Sequence, residues 1–118
     1  MEIRTKVKGK DSIDVALTLD SIGTAYNSLG QYEKALESYQ GGLEINTKVK
    51  GKESINVAET LYLMSFTYEK MGKVQEALSA VSESYEIRKK VLGEGNKKTK
   101  LCFSRIEELS KVTSWLIE

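Results

Sequence analysis

The sequence predicts an all-α fold, a solenoid of helix-turn-helix repeats, and three observations carry that prediction. The chain repeats itself: Ile3–Leu19 and Ile45–Leu61 agree at about 13 of 17 positions, an offset of about 42 residues. Within each copy, apolar residues recur at spacings of three and four, the period of an amphipathic helix. Proline is absent from all 118 residues, and no strand-like alternation competes.

Taken in order, residues 1–10 read as a partial helix from a preceding repeat, because Ile3–Lys8 matches Ile45–Lys50. A stub of about two turns is too short to stand alone. It is expected to fray, to dock on a neighbour or to mediate a homodimer, as in a segment of a longer array.

The first repeat spans residues 11–52. Ser12 is placed to cap a helix whose apolar face is Val15, Leu19, Ile22, Tyr26 and Leu29. Gly30-Gln31 interrupts that pattern, and Tyr32, Ala35, Leu36, Tyr39, Leu43, Ile45 and Val49 form the face of a second helix. Gly41 and Gly42 each cost about 1 kcal/mol there relative to alanine, tolerable beneath a crossing helix, so the helix is expected to be continuous. Gly51 is expected to stop it in the left-handed conformation.

The second repeat, residues 53–94, copies this plan. Ser54 leads into Val57, Leu61, Met64, Tyr68 and Met71, a turn follows at Gly72-Lys73, then Val74, Ala77, Leu78, Val81, Tyr85 and Val91, with Gly93 as the stop. Residues 95–118 supply one capping helix, from about Asn96 to near Trp115, with Phe103, Ile106, Leu109 and Leu116 on one side.

Composition narrows the function. Histidine is absent, which removes the commonest general base and metal ligand. Cys102 is alone, so there is neither an intramolecular disulfide nor a Cys-rich zinc site, and it reads as a small buried hydrophobe. No apolar run approaches the roughly 20 residues of a membrane helix, and the charged N-terminus is no signal peptide. The expected compartment is the cytoplasm. No catalytic residue, cofactor or metal site is expected, so the chain is not read as an enzyme. A net charge of +1 and the lack of interleaved aromatics disfavour nucleic acid as a partner.

With these residues in view the chain resembles the tetratricopeptide repeat family, in the 42-residue variety of kinesin light chains. The family's first-helix signature is matched by Leu19, Ile22-Gly23 and Tyr26, then by Leu61, Met64-Ser65 and Tyr68. Its turn glycine is matched by Gly30 and Gly72, and its small second-helix residue by Ala35 and Ala77. The resemblance implies a right-handed superhelix and a non-catalytic role in protein–protein interaction. Asp20 and Thr24, then Tyr62 and Phe66, stand where the family's clamp for C-terminal carboxylates has Lys and Asn, so an acidic C-terminal peptide is not expected.

In such a stack the first helices line the concave face. The residues there that point away from the apolar stripe are Leu17, Asp20, Thr24 and Asn27, then Glu59, Tyr62, Phe66 and Glu69, and in the capping helix Leu101, Ser104, Glu108 and Lys111. Tyr62 and Phe66, one turn apart, are either anchors for a peptide or ordinary inter-repeat core. The carboxylates favour a basic or amphipathic peptide. A basic edge recurs between repeats at Lys6, Lys8, Lys48, Lys50 and Lys52. It reads mainly as helix-end cations, with an anionic surface as the alternative ligand. The remaining alternative is a structural spacer or self-association segment.

Overall fold

The structure, a computed structural model, describes residues 12–117, with side chains described as far as residue 112. The described residues form five helices: α1 (Ile13–Ser28), α2 (Tyr32–Lys50), α3 (Ile55–Lys70), α4 (Val74–Leu92) and α5 (Lys97–Ile117). No strand occurs among the described residues. The partial helix expected at 1–10, with Lys6 and Lys8, lies outside them.

Sequence signals set the helix ends. The Ser12 hydroxyl accepts from the Val15 N–H at 3.2 Å, and Ser54 does the same for Val57 at 3.2 Å, satisfying a donor that the first turn leaves open. α2 runs unbroken through Gly41 and Gly42. At the far ends Gly51 (φ 95°, ψ 155°) and Gly93 (φ 92°, ψ 159°) do not take the left-handed helical conformation expected of them. Both combine a positive φ with an extended ψ, a region open in practice to glycine alone, so the chain leaves each helix straight into the next linker.

Helix pairs form because small residues meet large ones. A Cβ on Gly23 would lie 2.8 Å from the Tyr39 ring, so only glycine lets α1 and α2 come this close. Ala35, Tyr39, Val57, Ala58, Leu61, Met64 and Ile87 make one buried cluster, and Ala77, Val81, Cys102 and Leu109 a second. Burying apolar surface of this kind contributes roughly 25 cal/mol per Å² and is the main force holding the stack.

Five residues expected on the apolar faces are instead exposed, among them Leu29, the residue that follows the last turn of α1. Val49 and Val91 sit in the last turns of α2 and α4, beyond the reach of the neighbouring helix. Ile22 faces the side of α1 that no described helix covers. Phe103 lies at the rim of α5, its ring 6.0 Å from that of Tyr85, because α5 turns Cys102, Arg105 and Leu109 inward.

Candidate interaction surface

The first helices of successive units, α1, α3 and α5, are tied together by side chains. Between α1 and α3, Thr60 Oγ1 donates to Asp20 Oδ2 at 2.8 Å and Thr67 Oγ1 donates to Asn27 Oδ1 at 2.9 Å. Between α3 and α5, Arg105 donates from Nε to Ser65 Oγ and from Nη2 to Glu69 Oε1, both at 2.8 Å. Arg88, from α4, donates to Glu59 Oε1 at 2.7 Å.

These bonds change the surface expected from spacing. Asp20, read as a polar group facing a ligand, is buried: it crosses to Thr60 instead of standing free. Its neighbour Thr24 is exposed and shares a hydrogen bond of 2.9 Å with the Tyr39 hydroxyl. Glu59 and Glu69 are each 45% exposed at the side chain, each with one oxygen engaged by an arginine. The acidic tendency expected of this face is therefore largely offset by two buried guanidinium groups.

Tyr62 and Phe66 are half-buried and meet edge to face, their centroids 5.1 Å apart. The Arg88 guanidinium lies 4.9 Å from the Tyr62 centroid, and that of Arg105 lies 3.6 Å from the Phe66 centroid. Tyr62 also packs on the cluster around Cys102, and burial holds its phenol above the usual range. Beside this layer a shallow cleft of about 430 Å³ opens between α1 and α3, lined by Leu17, Asp20, Ser21, Thr24, Glu59 and Leu63.

A family model described as tetratricopeptide repeat matches residues 14–90, more than half of the chain. The chain belongs to the tetratricopeptide repeat family. Such repeats are typically non-catalytic modules of protein–protein interaction or scaffolding. Among curated proteins none matches this chain.

Within this tetratricopeptide frame, the residues that spacing missed are Arg88 and Arg105. The signal was there: at the 42-residue offset Arg88 aligns with Asn46 and Arg105 with Leu63. Both aligned positions point inward, Asn46 being buried in the first unit and Leu63 packing on the first cluster from the second. The basic edge is also more mixed than its lysines suggest. Lys48, Lys50 and Lys52 are exposed, and Lys52 shares a cleft of about 540 Å³ with Glu53, Glu83, Glu86, Lys89 and Lys90. Lys90 pairs with Glu53 at 3.0 Å, and Lys89 with Glu94 at 3.5 Å. Among the described residues no helix is long and apolar enough to cross a membrane, and no cluster of metal-ligating side chains forms.

Proposed function

We propose that this tetratricopeptide segment binds an amphipathic peptide or partner helix across the face formed by α1, α3 and α5. The observation that carries this reading is the cleft between α1 and α3. Leu17 and Leu63 give it apolar walls, Leu17 being 54% exposed, while Ser21, Thr24 and Glu59 form a polar rim. An apolar side chain of the ligand seats on the two leucines, and a cation or amide meets the rim. Charge on this face is close to balance, so an amphipathic ligand fits it better than a strongly basic one.

Tyr62 and Phe66 act here as a rigid wall. Their faces are covered by arginines, so a ligand meets the ring edges, with Asn27 and Glu69 as polar selectors beyond. A rigid aromatic layer held in place before binding loses little entropy on association. The encounter takes place in the cytoplasm. The competing roles, a spacer or self-associating segment and a binder of anionic surfaces through Lys48, Lys50 and Lys52, have less support, because glutamates stand among those lysines.

The test is a peptide-display selection on the intact chain and on Leu17→Asp, a surface change that leaves the core alone. A motif enriched on the wild-type protein and lost on Leu17→Asp supports the cleft. Equal enrichment on both, or none on either, overturns it.

A further inference from the structure

Beneath that cleft three side chains from three helices form one buried chain of hydrogen bonds. Asn46 Nδ2 of α2 donates to Thr60 Oγ1 of α3 at 3.3 Å, and Thr60 Oγ1 donates to Asp20 Oδ2 of α1 at 2.8 Å. Two acceptors in this network have no donor: Asp20 Oδ1 and Asn46 Oδ1. Buried polar atoms are nearly always paired, so a network with two orphaned acceptors is short of a hydrogen. The carboxyl is also held tightly against α2, for a Cβ on Gly42 would come within 2.7 Å of Asp20 Oδ1.

We propose that Asp20 is a proton-operated latch between the first two repeats. With a proton on its carboxyl the network gains the donor it lacks, and α1, α2 and α3 are held together. Without that proton a buried negative charge keeps one oxygen unpartnered, and the joint beneath the cleft loosens.

The surroundings favour the protonated form. From α3, Glu59 adds a second negative charge, and its own partner is Arg88 of α4. From α2 comes the Tyr39 phenol, which burial keeps above its ordinary range and so neutral. No cationic side chain among the described residues pairs with Asp20. Burial raises the Asp20 carboxyl from 3.8 to about 6, with the Thr60 hydrogen bond opposing and Glu59 adding to the rise.

The folded chain therefore holds this proton more tightly than the unfolded chain. Asp20's contribution is fully present below about pH 4 and is lost as pH rises through 6. Each unit of that difference is tenfold, so the folding constant falls about a hundredfold over the window.

The deciding experiment compares urea unfolding of the intact chain from about pH 4 to 8 with that of Asp20→Asn, which carries an amide donor at every pH. The carboxyl carbon of Asp20 is titrated by NMR alongside. The wild type is expected to lose about a hundredfold in folding constant relative to Asp20→Asn as pH rises. Thr60→Val, which removes the opposing hydrogen bond, is expected to move the titration to higher pH. Parallel profiles for wild type and Asp20→Asn, or a carboxyl that titrates near its ordinary value, would overturn the latch. If Asp20→Asn does not fold, the wild-type titration decides alone. The latch does not depend on the cleft having a ligand, so a failed peptide selection leaves it standing.

Discussion

The joint between the first two repeats and the joint between the second repeat and α5 use the same positions for different chemistry. At the 42-residue offset Asn46 corresponds to Arg88, Thr60 to Cys102, Leu63 to Arg105 and Asp20 to Tyr62. The first joint is a short chain of amide, hydroxyl and carboxyl groups. The second is two guanidinium groups laid on two rings and tied to two glutamates. Compensation runs deeper still. Gly23 lies under the Tyr39 ring, whereas in the next unit Ser65 stands opposite the smaller Val81, and its hydroxyl is free to accept from Arg105. The backbone frame thus tolerates either joint, although Asp20 Oδ1 and Asn46 Oδ1 in the first and Arg88 Nε in the second stay without a hydrogen-bond partner.

The sharpest way to break this contrast is Arg88→Ala. It removes the buried side chain that holds Glu59, Cys102 and the Tyr62 ring and leaves a cavity, and we expect about 3 kcal/mol of lost stability in urea unfolding. A loss well under that would mean the apolar cluster alone holds the second joint. Next comes Gly23→Ser, which brings the second unit's residue under Tyr39 and should lose about 2 kcal/mol by overpacking. Adding Tyr39→Val should restore part of that loss, whereas two additive losses would show that the two positions do not compensate.

Smaller effects sharpen the comparison. Thr67→Val leaves Asn27 without its 2.9 Å bond and should lose about 1 kcal/mol. Lys90→Ala, at the exposed pair with Glu53, should change stability by no more than about 0.5 kcal/mol. A larger change there would promote the outer edge from solvated surface to part of the joint.

The helices, their serine caps and their turns were legible because each rests on local chemistry. Ser12 and Ser54 cap the helices they precede, and the three-and-four spacing finds the apolar faces. The buried charges were not legible from spacing. Asp20 reads as facing a ligand on a helical wheel, and spacing alone does not mark Arg88 or Arg105 as buried, since an isolated charge rarely goes inside. Each is buried because another helix supplies the partner: for Asp20 and Arg105 it belongs to the adjoining unit, for Arg88 to the other helix of its own repeat. Phe103 erred in the opposite sense: its spacing suits the core, but the inward face of α5 is set by Cys102 and Leu109.

Three side-chain bonds between first helices, Asp20–Thr60, Asn27–Thr67 and Ser65–Arg105, each link residues 40 apart, and a fourth, Glu69–Arg105, links residues 36 apart. Each partner is thus supplied by the adjoining unit, and ordering the stack requires only short searches along the chain. Loop closure over so few residues is fast, so folding can start at either joint and spread to its neighbour. Under tension or mild denaturant such a stack yields like a zipper, one joint at a time.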